Sequence, residues 1–282
     1  MASKRKSGGP HLKRSFRTAV VTLWVVYAQL MGYFVVAAVL GRPMVLFLLP
    51  LATLAFFGFS LGHAVWSLGG RQAFLFLAIT FTVSLAFESV GVLTGWVYGP
   101  YHYTDRLGFK LFGLVPLLIP IAWFMMIYPS HVLAGRVMGN GRAGGWRRLL
   151  WLAALSALAM TAWDLVMDPV MVAGGHWVWE VEGAYFGVPL HNYVGWLATT
   201  LVVFLLYNLW AARRPGRPWG DSSRFFQALP ILAYAVTWLG QVSVALGLGL
   251  AGPALAGFFG MGSFALIGLG EVWGRPGDAA GS

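Results

Sequence analysis

Eight apolar runs set the frame for everything else in this chain. They lie at about 18–40, 43–67, 72–94, 111–134, 147–171, 189–211, 225–249 and 252–272. Each is close to the roughly 20 residues an α-helix needs to cross the hydrocarbon core of a bilayer. In lipid the backbone must satisfy its own hydrogen bonds, so runs of this length are stable as helices. The expected fold is all-α, a polytopic membrane helix bundle of about eight transmembrane helices. Residues 1–17 read as a basic cytoplasmic tail, 18–272 as a single transmembrane helical domain, and 273–282 as a short cytoplasmic tail. Composition excludes the alternatives. Only 10% of residues are charged, against about 25% in a soluble domain. With 20 Phe, 14 Trp and 10 Tyr the chain is not a disordered one either.

The net charge of +10 would suggest nucleic acid in a soluble protein, but here the basic residues sit in tails and short loops. That pattern reads as topology and contact with anionic lipid, and no nucleic-acid partner is expected. With the N-terminus inside, 16 basic residues fall on the cytoplasmic side, and only Arg42, Arg106 and Lys110 fall outside. The positive-inside rule then puts both termini in the cytoplasm. The expected location is the bacterial cytoplasmic membrane, as an integral protein. The first apolar run is too long for a cleavable signal peptide. There is no cysteine, which excludes disulfides, thiol nucleophiles and thiolate metal sites.

Two long outer loops, about 95–110 and 172–188, are rich in aromatics, glycine and proline, and read as interfacial. A faint repeat links the hairpins that carry them. Trp96-Val97-Tyr98 echoes Trp177-Val178-Trp179, and Val115-Pro116-Leu117 precedes Trp123 as Val188-Pro189-Leu190 precedes Trp196. Duplication and chance both account for it.

Charges inside a bilayer cost about 2.5 to 3.5 kcal/mol each on insertion scales and usually mark function. Three stand out: Glu88 in the third run, Asp164 and Asp168 in the fifth. The two aspartates are four apart and share a helix face. Counting up from Gln72 and Arg148, Glu88 and Asp164 each lie 16 residues along their runs, roughly 25 Å at helical rise. All three acids therefore reach the outer half of the membrane. Asp105, Tyr98, His102, Tyr103, His191 and Asn192 join them at that level, with only Arg106 and Lys110 as basic partners. A carboxylic acid in an apolar site without a cation holds its proton, so the chemistry suggested is acid catalysis on an apolar substrate.

Plainer readings stand beside this one. Asp164 and Asp168 could pair with Arg106 near a helix end, and Asp168 could steady backbone freed by Pro169. Glu88 could bond to Ser84 or Thr94 as interhelical glue. Glu180 and Glu182 read as solvated loop charges, His63 and His131 as interfacial. Met125, Met126, Met160, Met167 and Met171 read as soft packing that would also suit the wall of a channel for a bulky ligand. No lysine lies within a run, and no Walker loop, G-x-G-x-x-G after a strand, G-x-S-x-G elbow or H-x-x-x-H spacing occurs, so no metal is expected.

Three segments carry a resemblance. Phe81 to Tyr103 reads FTVSLAFESVGVLTGWVYGPYHY, Trp123 to Ser130 reads WFMMIYPS, and Trp163 to Trp196 contains WDLVMDPVMV and YFGVPLHNYVGW. They resemble the bacterial and archaeal carotenoid biosynthesis membrane proteins, whose characterised members are carotenoid C-1′,2′-hydratases of the bisanhydrobacterioruberin hydratase type. The resemblance covers about residues 70 to 270. It implies a cofactor-independent hydro-lyase that adds water to the terminal C1–C2 double bond of an acyclic carotenoid end, such as lycopene or γ-carotene.

Roles then follow from the chemistry. A proton delivered to C2 leaves a tertiary cation at C1, which water captures. Asp164 is the first choice of donor and Glu88 the second; Asp168 holds or deprotonates the water, and Asp105 completes the candidate catalytic set. Substrate contacts are expected from Tyr98, Tyr103, Trp123, Trp163, Tyr185, Phe186, His191 and Asn192, the aromatic faces stabilising the cation by about 0.5 to 2 kcal/mol each. Expected partners are the carotenoid, water and membrane lipid, with other carotenoid enzymes as candidates and the oligomeric state open. Two other functions fit the same residues: a carotenoid cyclase that starts from the same protonation, and a carrier for a hydrophobic solute.

Overall fold

The computed structural model describes residues 9–43, 45, 47–139, 145–214, 216–220 and 223–273. Eight helices run in chain order: α1 Pro10–Val39, α2 Leu48–Leu68, α3 Gly70–Thr94, α4 Leu118–Met138, α5 Trp146–Ala173, α6 Leu190–Arg213, α7 Arg224–Gly247 and α8 Ala251–Trp273. All eight are long and apolar enough to cross a membrane. Seven of them close a ring in the order α1, α2, α3, α6, α5, α8, α7, back to α1; α4 runs inside it, packed on α2, α3, α5, α7 and α8.

Two ends differ from the sequence expectation. Helix α1 starts at Pro10, so Lys13, Arg14 and Arg17, read as part of the tail, lie on helix; Lys4, Arg5 and Lys6 fall outside the described residues. Proline at the first helical position is pre-set for that conformation. The added turns are also held from outside. The Arg17 guanidinium stands over the rings of Trp66 and Phe226 at 5.5 and 5.0 Å, and Lys13 Nζ donates to the Trp219 carbonyl at 2.6 Å. Helix α4 starts at Leu118 rather than about 111. Before it, β2 (Lys110–Leu111) turns back on β3 (Val115–Pro116), with Gly113 at φ +71° in the turn. The expected tail beyond Trp273 lies outside the described residues.

Prolines inside α4, α5 and α7 would each leave a carbonyl orphaned four residues earlier. Each such carbonyl is capped by a side chain from elsewhere in the fold. Ser60 donates to Met125 O at 2.8 Å below Pro129, Tyr185 to Leu165 O at 2.8 Å below Pro169, and His63 Nε2 to Phe226 O at 2.9 Å below Pro230. Because a carbonyl only accepts, His63 carries its hydrogen on Nε2, and Nδ1 accepts from the Tyr128 hydroxyl at 2.7 Å. His63 is therefore a buried structural group, and His131 packs among Phe76, Phe204 and Tyr207.

The two long aromatic loops meet. Strand β1 (Tyr101–Tyr103) pairs antiparallel with β4 (Trp177–Trp179), with Tyr101 opposite Trp179 and Tyr103 opposite Trp177. Strand alternation turns Tyr101, Tyr103 and Trp177 inward and leaves His102 and Val178 outside.

Candidate active site

Beneath that two-stranded cover, three carboxylates are buried with neutral donors only. Glu88 comes from α3, whose last turn stops at Gly95 (φ +69°). It accepts from the hydroxyls of Tyr101 and Tyr103, the latter at 2.8 Å, and from Trp123 Nε1 of α4 at 3.0 Å. Burial, and then the charge of Glu88, push both tyrosines well above their ordinary range, so they keep the hydrogens they donate.

Asp164 and Asp168 lie one turn apart on α5. The Asn192 amide, at the start of α6, bridges them, donating at 2.6 Å to Asp164 and at 2.9 Å to Asp168. The other oxygen of Asp168 accepts from the indoles of Trp177 at 3.0 Å and Trp179 at 3.2 Å. Asp164 Oδ1 is buried without a hydrogen-bond partner among the described residues. Among those residues no Lys or Arg forms an ion pair with any of the three acids. Lys110 pairs with Asp105, and the Arg106 guanidinium donates to Gly174 O at 3.0 Å. Ser84 and Thr94 bond to carbonyls of their own helix, so neither serves Glu88 as glue.

A cavity of about 650 Å³ opens beside this cluster. Glu88, Asp168 and Asn192 stand on its wall with Tyr98, Tyr103, Trp123 and Trp163, while Asp164 lies behind it, fully buried. Trp123 and Trp196 stack at 4.3 Å, and Trp163 meets Trp196 edge-on at 5.9 Å, giving one end of the cavity an indole lining. These two stacked tryptophans are the pair that follow the repeated Val-Pro-Leu. Met125, Met167 and Met171 also line the cavity; Met126 and Met160 are core.

Four of the expected site residues are placed elsewhere. The Asp105 side chain is 99% exposed and bound to Lys110 at 2.9 Å, whose hydrogen bond and charge hold it below the usual carboxylate range. Asp105 follows a cover strand on its outer side, so its loop position never reached the acids. Tyr185 is occupied with the Leu165 carbonyl that Pro169 frees. Phe186 is exposed and rests by Gly252, and His191 faces out while its neighbour Asn192 faces in, one residue round the first turn of α6. Conversely, Tyr101, Trp177, Trp179 and Trp196 were not expected. The period-two spacing of Tyr101-His102-Tyr103 and Trp177-Val178-Trp179 was the available signal, legible once those loops are taken as strands.

The model of the family described as "Carotenoid biosynthesis protein" matches residues 41–263. The chain is also similar to bisanhydrobacterioruberin hydratase of Haloarcula japonica, 38% identical over 144 residues, which is 51% of this chain and 47% of that protein. The matched part thus spans about half the length of the relative. No solved structure matches.

Proposed function

This chain belongs to the carotenoid biosynthesis protein family, and on that premise we propose that it hydrates the terminal C1–C2 double bond of an acyclic carotenoid end. One observation carries the reading: three buried carboxylates with no ion-pair partner among the described residues, two of them on the wall of an aromatic cavity. The hydratase name of the Haloarcula protein supports it.

The roles differ from those the sequence alone suggested. A proton donor must reach the carbon it protonates, to about hydrogen-bond distance. Asp168 stands on the cavity wall and Asp164 lies behind it, which supports giving the donor role to Asp168. In this proposal the two carboxyls, bridged by one amide and with no ion-pair partner among the described residues, share one proton. In the proposed cycle Asp168 gives that proton to C2, forming the C2–H bond from the alkene π pair and leaving a tertiary cation at C1. Water then adds its lone pair to C1, and the proton it sheds returns to Asp168, so the pair is restored. Glu88, fixed as an acceptor by three donors, faces the cation as a preorganised charge, and the indole faces of Trp123 and Trp163 add cation–π attraction. The addition is redox-neutral and balances with water alone.

Expression in a host that accumulates lycopene, with mass analysis of the extracted pigments, tests this. Products heavier by one or two waters, with unchanged polyene absorption, are expected. Unchanged mass with shifted absorption would mean cyclisation instead. If neither lycopene nor γ-carotene changes, the hydratase reading fails.

A further inference from the structure

The burial of the cavity's lining shows where it opens. Of the described residues that line it, the exposed ones all come from helix ends and turns at the end of the bundle that carries the aromatic cover. They are residues 41–43 and 45 between α1 and α2, 247 and 248 at the α7–α8 turn, and Arg106 and Ala173 beside the two cover strands. Away from that end the lining residues are buried, Tyr27, Met125, Trp163 and Thr237 among them. The described residues thus form a blind channel with one mouth. Along α1 its lining runs from Tyr27 to Ala38 and along α5 from Trp163 to Ala173, roughly 15 Å each at helical rise.

The mouth has apolar surroundings. Leu40, Val45, Phe47 and Leu248 all expose their side chains around it, and a cluster of that kind fits a membrane rather than water. Arg42 and Arg106 stand on the same rim, and neither forms an ion pair among the described residues. Their stems can lie along the apolar rim while the charged heads meet lipid phosphates.

We propose that this mouth, between the α1–α2 and α7–α8 turns, is the route by which the ligand enters and leaves. A carotenoid slides in end first from the lipid, and the part of the chain that the cavity cannot hold stays in the bilayer. The proposal rests on the carotenoid reading of the cavity and adds its route. A fully conjugated acyclic chain is about as long as the hydrocarbon core is thick, roughly 30 Å. That is about twice the depth of the channel, so the middle of the chain lies in the mouth while one end is inside.

The absence of cysteine makes the test clean. Val45→Cys and Leu248→Cys each put one thiol on the rim, and Val181→Cys puts one on the exposed part of the second aromatic loop, away from the lining. Purified full-length variants in detergent are treated with a bulky methanethiosulfonate, which leaves a reducible adduct on the thiol, and are then offered lycopene. The rim adducts should abolish uptake and a reductant should restore it, while the adduct at position 181 should change nothing. In the reverse order, lycopene at about ten times its dissociation constant should slow labelling of either rim thiol about tenfold, since only free protein presents an open mouth. Ala173→Cys, on another side of the rim, serves if either rim variant does not fold. Uptake that both rim adducts leave unchanged overturns the proposal. So does protection of the thiol at 181 equal to that at the rim, because pigment would then coat the surface instead of threading the mouth. Binding is read without turnover: lycopene taken up but not hydrated counts against the hydratase proposal and leaves the route standing, whereas wild type that takes up none overturns both.

Discussion

Glu88 and Asp105 show how much position matters for two carboxylates in one short stretch. Glu88 is 4% exposed and held by three donors; Asp105 is on the surface with Lys110. Glu88→Gln should lower the hydration rate by roughly 10²- to 10³-fold, the scale of losing one preorganised charge, in protein that still extracts folded. Asp105→Asn should leave the rate within about twofold, as expected for a solvent-screened pair. Pigment mass analysis of the two variants side by side checks both, and equal losses would sink the distinction. His176 gives a pH signature outside the membrane spans. Burial chiefly, and the charge of Arg106 as well, hold its imidazole below its ordinary range. The unfolded chain takes up that proton below about pH 6.5 while the folded chain resists it. Stability from the neutral ring is thus present above pH 6.5 and lost as pH falls below it. Thermal midpoints measured across that window should drop towards acid, and His176→Gln should flatten the drop.

At the level of elements, the in-helix prolines are the instructive feature. A proline in a membrane helix leaves a carbonyl where lipid cannot satisfy it, and here three separate side chains do so. Ser60→Ala, His63→Leu and Tyr185→Phe should each cost about 1 to 3 kcal/mol by orphaning one carbonyl. Thermal denaturation in detergent reads this directly. Repairing the helix should rescue the loss: Pro129→Ala combined with Ser60→Ala should recover stability, and additive losses would refute the capping account. Tyr185 was expected to touch substrate because it is aromatic and lies in the outer loop. Its hydroxyl is instead spent on α5, so Tyr185→Phe should affect stability more than pigment binding. The β1–β4 cover works in the opposite direction, since strand pairing takes loop aromatics from two distant segments and aims them at Glu88 and Asp168.

For the whole molecule, the uneven placement of basic residues predicts orientation. A reporter enzyme active only outside the cytoplasm should work when fused after Phe109 or Glu182, and be silent when fused at the C-terminus. The reverse pattern would invert the proposed topology and put the acid cluster near the inner face. The closed ring around α4 also explains why the acids are buried: α3, α5 and α6 turn Glu88, Asp164, Asp168 and Asn192 inward, and the aromatic cover closes that end of the bundle.

Helix number, most helix limits within a few residues and the helix face shared by Asp164 and Asp168 were readable from the linear chain. They depend on run length, composition and a fixed rise per residue, all of which are local quantities. The partners of those acids were not readable. Whether Tyr103, Trp123 or His102 meets a carboxylate depends on contacts at about 3 Å between segments up to tens of residues apart. Strand register and helix rotation set those contacts. The same geometry moved Asp105 to the surface, put Asp164 behind the wall, and turned four loop aromatics into the lining and support of a cavity.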